Sequence, residues 1–396
     1  MHLYLHVPFC HSRCLYCDFY LELAKYGGIS AYCDALLREI AGRFTVRARE
    51  GGSNPLSSLQ TLYFGGGTPS LLSATQVRSI LQAIAKEVPF DPQIEMTFEL
   101  NPDDAESPLD AYLEAGINRF SVGVQSLNPQ ELKKLSRRHQ KETALHQIHA
   151  LADLMKEKAN ISIDLMYGIP LQRFSSWQDT VKEACQLPIQ HISMYGLQVE
   201  AGTALETLRK KVPHHYPLPS EEEEVLFYEW AVSYLADAGF ERYEVSNFAR
   251  RGFESRHNLA YWQQKDVLAC GPSAHGYQHP WRYQVPSDLK AYQRYQHLED
   301  ITQKEAVSEW ERLENLIIFG LRMTQAGVPL STLQEACPHE DAWPWLSAYL
   351  DSWVEQGYLR YEEGHLYLAP QWISCMNTVL KEFMGLETIF SNALSR

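Results

Sequence analysis

The chain has 396 residues, enough for two or three domains of ~100–200 residues each. Its 49 acidic and 35 basic residues leave a net charge of −14, which argues against a nucleic-acid-coating surface and against a polybasic membrane patch. Charged residues at 21% and hydrophobic ones at 45% describe a folded globular chain rather than a disordered one.

Six apolar runs in the first half read as strands: residues 3–7, 59–64, 94–99, 119–124, 161–166 and 191–196. Helix starts fall between them. Ser73 precedes Gln76 by three residues, Ser107 precedes Asp110, Asn128 precedes Glu131 and Ser176 precedes Asp179, the spacing of a capping box or its relatives. Pro108 and Pro129 fall at the first helical position, where a missing N–H costs little. Strand–helix alternation predicts a parallel sheet covered by helices. Six units are too few for a closed eight-unit barrel, which leaves a partial open barrel or a doubly wound sheet.

After residue 200 the rhythm changes. Residues 213–219 form a proline- and histidine-bearing connector, with His214 and His215 read as solvated. Ser220 caps a helix that opens on Glu221–Glu224 and runs to about residue 238; the acidic first turn suits the helix dipole. An irregular stretch follows that holds His257–Trp262, and then an apolar run at 267–270 before a glycine-rich turn. From about residue 307 the order is helix, short helix, helix, hairpin. The first helix has an apolar stripe at Leu313, Leu316, Ile317, Phe319 and Leu321. The second is capped by Ser331 with Gln334 three residues on, the third covers 345–357, and the hairpin covers 359–367 around Glu363–Gly364. This order resembles a winged helix, but segment 305–396 carries 13 acidic and 5 basic residues, which argues against DNA binding. The expected division is 1–212, a connecting region 213–304 that completes the side of the barrel, and 305–396.

No apolar run reaches the ~18 residues of a membrane span. The opening MHLYLHVPFC has no charged n-region and no small-residue cleavage site, so a cytoplasmic protein without a membrane anchor is expected. In that reducing compartment eight cysteines point to metal or catalysis before disulfides. Cys10, Cys14 and Cys17 stand as CxxxCxxC directly after the first strand. Thiolates so spaced suit an iron–sulfur cluster; zinc would want a fourth ligand, for which His11 is a candidate. Cys33, Cys185, Cys270, Cys337 and Cys375 are scattered along helices and strands and read mostly as small buried hydrophobes.

In parallel βα architectures chemistry gathers at the C-terminal ends of the strands. The second strand ends there in Gly65-Gly66-Gly67-Thr68-Pro69, where glycines let the backbone approach a ligand. Glu99, Gln125, Asp164 and Gln198 end or follow later strands. Each alone is more often an ordinary loop residue, but four on one rim suit a polar cofactor. Arg137 carries a planar fork able to hold a carboxylate.

The cysteine motif with GGGTP resembles the radical S-adenosylmethionine (SAM) superfamily. LYLHVPFCHSRCLYCDF, YFGGGTPS, FELNPDD, RFSVGVQS, DLMYGIP, HNLAYW and the tail resemble its oxygen-independent coproporphyrinogen III oxidase (HemN) family over nearly the whole chain. The resemblance implies a partial (β/α)6 TIM-like barrel with a small C-terminal winged-helix-like α+β domain. It implies a 4Fe–4S cluster on Cys10, Cys14 and Cys17, whose open iron is chelated by SAM. One-electron reduction then yields methionine and a 5′-deoxyadenosyl radical. It assigns Tyr4, Tyr16, Gly66, Gly67, Thr68, Glu99, Gln125, Arg137, Asp164 and Gln198 to SAM. Phe19 stands where the oxidase has a further cysteine, and the oxidase has an N-terminal extension before its first strand. Both differences, with His257-Asn258-Leu259-Ala260-Tyr261-Trp262, resemble the HemW branch of haem chaperones. That branch implies haem and haem-acceptor proteins as partners, with an electron donor wherever SAM is cleaved. His257 is then the leading haem ligand, Tyr261 and Trp262 help form a slot, and His275 is a second candidate at the barrel mouth. Oxidation of coproporphyrinogen III is the alternative activity.

Overall fold

The computed structural model describes residues 1–49, 58–103 and 108–394. The six expected strands are present as His2–Val7, Leu59–Gly66, Phe90–Leu100, Arg119–Gln125, Ile161–Tyr167 and His191–Gly196, all parallel and adjacent in chain order. Five extend one to five residues beyond the expected ends. Helices Ile29–Arg49, Ala74–Glu87, Lys141–Met155 and Phe174–Ala184 follow the first, second, fourth and fifth strands.

The alternation along each strand separates two environments. Leu3, Leu5, Leu62, Phe64, Phe98, Phe120, Val122, Ile163 and Ile192 pack in one core beneath the helices. The opposite face is polar: His2, Thr61, Thr97, Arg119, Ser121, Ser162, His191 and Ser193 are buried on it. Their hydrogen bonds cross from strand to strand, as in Ser162 Oγ with His191 Nδ1 at 2.7 Å and Arg119 Nη1 to Thr97 Oγ1 at 3.4 Å. A buried polar face is tolerated only when its groups find partners or a ligand, so this face is where a site belongs.

Region 213–304 extends the sheet at both edges. Val267–Cys270 adds in parallel beside the first strand, and His275–Gln278, Trp281–Gln284 and Gln303–Ala306 continue antiparallel from it. Asn247–Ala249 and Glu241–Arg242 add antiparallel beyond the sixth strand. Among the described residues one mixed, mostly parallel sheet of 12 strands results.

Residues 309–394 have a core of their own around Leu313, Ile317, Leu333, Leu346, Leu366 and Phe383. It joins helix Glu309–Gly320, helix Leu330–Glu335, helix Ala342–Glu355 and a three-stranded sheet with His365–Leu368 in the middle.

Several local expectations need correction. Ser73 and Ser220 form complete capping boxes, and Asn128 accepts from two free amides with Pro129 behind it. Ser176 instead lies within its helix, its Oγ bonded to Glu131 at 2.6 Å, because the helix begins at Phe174. Ser331 likewise follows the helix start at Leu330, and Pro108 is the cap rather than the first helical residue. Ser107 lies outside the described residues. The motif His257–Trp262 is helical, within Arg256–Trp262, because Ser255 caps it through the Asn258 amide.

Candidate functional site at the mouth of the sheet

The cysteine loop is held at both ends. Phe9–Cys10 pairs in parallel with Glu22–Leu23, so the chain returns to where it left the sheet. The middle is pinned through Leu15, whose N–H donates to Leu135 O at 3.4 Å and whose carbonyl accepts from Leu205 at 2.8 Å. His214 and His215 are exposed as expected, while the connector's Tyr216 and Leu218 pack against Leu15 and Tyr16 in one apolar cluster. Cys10, Cys14 and Cys17 are all free and partly exposed.

Two glycines allow the loop to sit so close. A Cβ on Gly67 would lie 2.6 Å from the Phe9 carbonyl oxygen and 2.9 Å from that of Val7. Gly66 has φ +107°, and its Cβ would strike the His6 ring. Gly67 N–H donates to Val7 O at 2.8 Å, which locks the second strand's turn against the first.

A continuous polar chain ties two of the thiols together. Thr68 Oγ1 donates to Cys10 Sγ at 3.3 Å, and Asn101 Nδ2 donates to Thr68 Oγ1 at 2.8 Å. Arg137 Nη2 donates to Asn101 Oδ1 and to Gly123 O, both at 2.7 Å, and its Nη1 reaches Cys14 Sγ at 3.6 Å. Burial opposes the Arg137 charge, but Tyr16 and Cys14 more than offset it and hold the guanidinium firmly protonated. Burial pushes the Cys10 thiol up to about 11. A bound metal would reverse that preference, since metal ligation takes the thiolate.

Beside this chain lies a cavity of about 390 Å³, lined by Tyr16, Gly66, Gly67, Thr68, Glu99, Gln125, Arg137 and Asp164. The strand ends from two to five thus meet around one space. Gln125 has φ +66° at a register shift in its strand, a bulge that redirects a non-glycine residue at some cost. Glu99 accepts from Tyr63 Oη at 2.8 Å and from Gly66 N–H at 3.2 Å. Burial, with Asp164 nearby, raises its carboxyl to about 8. Burial raises Asp164 to about 6, against its bonds from Ser193 and Ser121. Two acids that ionise reluctantly in an enclosed site favour a cationic ligand.

The sequence did not single out Asn101, Ser121, Gly123 or Tyr195, which also line this cavity. Asn101 was within reach, two residues after Glu99 in the same quoted segment. Tyr195 and Ser121 required knowledge of which strand face turns inward.

Six expected residues lie elsewhere. Tyr4 sits behind the cavity wall, bonded to His6 Nδ1 at 3.1 Å, with a Cβ on Gly65 due to meet it. Gln198 is exposed beyond the sixth strand and lines neither mouth cavity. His257 is 2% exposed. Its Nδ1 bonds Thr61 Oγ1 at 2.7 Å, and its ring stacks on Tyr63 at 5.0 Å. Thr61 stands four residues before Gly65, about 13 Å down the strand from the mouth. His257 is therefore an interior residue near the base of the sheet, away from the mouth, and its Nε2 is buried without a hydrogen-bond partner. Tyr261 meets it edge-on at 5.2 Å, whereas Trp262 turns away against Phe319 at 6.1 Å, so these rings form no common slot. His275 is exposed on the outer hairpin and lines a separate recess.

The residues fit a cluster and a small cationic cofactor. Among the described residues, no three Cys, His, Asp or Glu side chains converge as on one metal ion. A cluster assigns each thiolate its own iron and needs no such convergence. Arg137 keeps a buried Nε–H without a partner in this wall. The glycine turn leaves room that any side chain would fill.

This fold and site define a radical SAM protein: the model of that superfamily matches residues 4–184. Over 96% of its length the chain is 32% identical to the heme chaperone HemW of Bacillus subtilis, covering 98% of that protein. It is 30% identical to the heme chaperone HemW of Lactococcus lactis, with 96% of each chain covered. The structure of the coproporphyrinogen III oxidase HemN of Escherichia coli superposes with a TM-score of 0.77 over 97% of this chain and 90% of that one. At 20% identity that likeness speaks for the fold alone. The chain belongs to the radical SAM superfamily and, within it, to the HemN-like group that includes the HemW proteins.

Proposed function

We propose that this protein binds a 4Fe–4S cluster and SAM at the sheet mouth, binds haem, and passes haem to haem-requiring proteins. One observation carries the reading. Three free thiols, a glycine turn and two reluctant acids share one mouth, in a chain similar along its length to proteins named heme chaperones. Cys10, Cys14 and Cys17 would hold the cluster; a bound cluster supplies one-electron reduction of SAM. Glu99 and Asp164 would face the cationic part of SAM, Arg137 its carboxylate, and Gly66–Thr68 its backbone-approaching edge. Tyr16 would close one side. Haem-acceptor proteins, and an electron donor where SAM is cleaved, complete the partners.

The mostly parallel sheet is read as the partial (β/α)6 barrel of the superfamily, covering residues 1–212. Residues 213–304 complete its side, and 305–396 form a winged-helix-like unit whose acidic surface is unsuited to DNA. Among the described residues, no helix is long and apolar enough to cross a membrane; a cytoplasmic location is proposed with the rest.

Phe19 separates this reading from coproporphyrinogen oxidation. It is 60% exposed at the cavity edge, where the oxidase places a cysteine. The test is anaerobic reconstitution followed by assays of iron, sulfide, SAM cleavage, the Soret band with haem, and products from coproporphyrinogen III. Haem binding without vinyl product supports the proposal. Turnover of coproporphyrinogen III, or no iron retained, overturns it.

A further inference from the structure

We propose that Tyr63 and His257 are positioning residues for SAM: the imidazole backs the Tyr63 ring, and the Tyr63 hydroxyl holds the Glu99 carboxylate in place. The inference rests on the SAM reading above and joins the motif His257–Trp262 to that same site. Alternation sets the frame, since Thr61, Tyr63 and Gly65 share the inward face of the second strand. Tyr63 pairs with Thr97, so Glu99 stands two residues nearer the mouth on the third strand. The Tyr63 ring therefore leans toward the mouth to reach it. Its Oη donates to Glu99 Oε1 at 2.8 Å, and the Gly66 N–H donates to Oε2 at 3.2 Å. Both carboxylate oxygens are held from one strand. Gly65 makes room for the lean: a Cβ there would lie 2.9 Å from the Tyr63 ring, 3.0 Å from the Tyr4 ring and 3.1 Å from Glu99 Oε1.

A ring that leans along its strand needs a wall to fix its angle. His257 supplies one, stacked on Tyr63 at 5.0 Å with 30° between the planes. Tyr4, the register partner of Tyr63, adds a second at 6.0 Å. The imidazole is itself fixed on several sides. Its Nδ1 bonds Thr61 Oγ1 at 2.7 Å, its backbone N–H donates to Glu95 Oε1 at 3.0 Å, and Tyr261 meets it edge-on at 5.2 Å. Trp262 against Phe319 at 6.1 Å secures the far end of the same helix. Nε2 takes no part, being buried with no hydrogen-bond partner among the described residues. An unpaired buried polar atom costs stability, so an apolar ring of similar shape should be accepted at this position.

Other groups act on the Glu99 charge: Asp164 from the fifth strand, Arg119 from the fourth, Tyr4 from the first and Tyr195 from the sixth. Among the described side chains, Tyr63 is the one that donates a hydrogen bond to it. That bond favours the carboxylate over the neutral acid. The brace therefore does two things for a cationic ligand: it aims the carboxylate and it keeps it ionised at a lower pH than burial alone would allow.

The test is calorimetric titration of the anaerobically reconstituted full-length protein with SAM, from about pH 6 to about pH 9. It compares the wild type with Tyr63→Phe, His257→Asn, His257→Phe and Glu99→Gln, each checked for a folding transition. Tyr63→Phe should weaken SAM binding about tenfold near neutral pH and move the rise of affinity to higher pH. In the cluster-free protein it should carry the fall of melting temperature to higher pH as well. His257→Asn keeps a polar contact for Thr61 but no ring, and should shift affinity and profile in the same direction. His257→Phe keeps the ring but no nitrogen, and should stay within about twofold of the wild type. A merely structural role would lower melting temperatures and leave the pH profile in place. Wild-type affinity and profile in Tyr63→Phe or in His257→Asn overturns the brace while the SAM site stands. Equal loss in His257→Phe and His257→Asn also overturns it, since the ring would then not be what matters. A wild type that binds no SAM, or SAM affinity unmoved by Glu99→Gln, overturns the SAM reading itself.

Discussion

Arg137 donates from Nη1 to the Sγ of Cys14 across 3.6 Å, while its Nη2 holds Asn101 and the Gly123 carbonyl. One side chain thus fixes a cluster-loop thiol relative to the third and fourth strands. Arg137→Ala should leave those two acceptors unpartnered, at about 1–3 kcal/mol each. Denaturant unfolding should show the loss, and reconstituted iron should fall with it. Arg137→Lys keeps the charge but not the fork. It should restore stability in part and SAM binding poorly; full recovery of SAM affinity by lysine would contradict a fork-specific role.

The three-thiolate reading makes a sharper demand on Cys14. Cys14→Ser should reduce iron after reconstitution from about four per chain to near zero, with loss of the brown chromophore. Cys375→Ser, at an exposed thiol far along the chain, should leave iron unchanged. Iron and sulfide assays on both variants decide the matter, and full iron in Cys14→Ser would rule the reading out.

Gly67 tests whether close backbone approach builds the mouth. The neighbours of a new Cβ there are the Phe9 and Val7 carbonyl oxygens, which cannot swing aside as a side-chain end could. Gly67→Ala should destabilise by about 1–3 kcal/mol and weaken cluster retention, because the displaced residue is next to Cys10. A surface change such as Ser79→Ala, at an exposed helix position, should leave iron content unaltered. Wild-type stability and iron in Gly67→Ala would show that the loop gives more readily than its packing implies.

Glu99 predicts a pH dependence whose sign can be worked out. Burial and Asp164 raise its folded carboxyl to about 8, against an ordinary value of ~4.3. Between these values the folded chain binds more protons than the unfolded one, so stability falls as pH rises through the window. Asp164, raised to about 6, adds to the same trend in its lower part. The cluster-free protein should melt at a lower temperature near pH 8 than near pH 5, and Glu99→Gln should flatten that slope. A cation in the cavity stabilises the carboxylate, so SAM affinity should rise over the same window. Identical melting slopes in both proteins would remove Glu99 as the source.

The sequence by itself determined the six strands, the cysteine loop at the end of the first, the glycine turn at the end of the second, and the acids at two later ends. Those features are local: apolar alternation, capping and turn chemistry act within a few residues, so they are legible without tertiary contacts. Placing strand ends at one rim needed only the rule that parallel strands share a direction. The tertiary structure decided what depends on which faces meet. Asn101 links Arg137 to Thr68 only because three strand ends converge, and Tyr195 lines the cavity only because its strand turns that face inward. The histidines show the difference most clearly. His257 stands in a motif that reads as a ligand, yet Ser255 caps it into a helix that buries the ring under Tyr63. His275 was expected at the mouth, yet an antiparallel hairpin leaves its ring exposed over a separate recess. Spacing fixes which residues are neighbours along the chain, but burial and register, set by long-range packing, decide which surroundings each side chain meets.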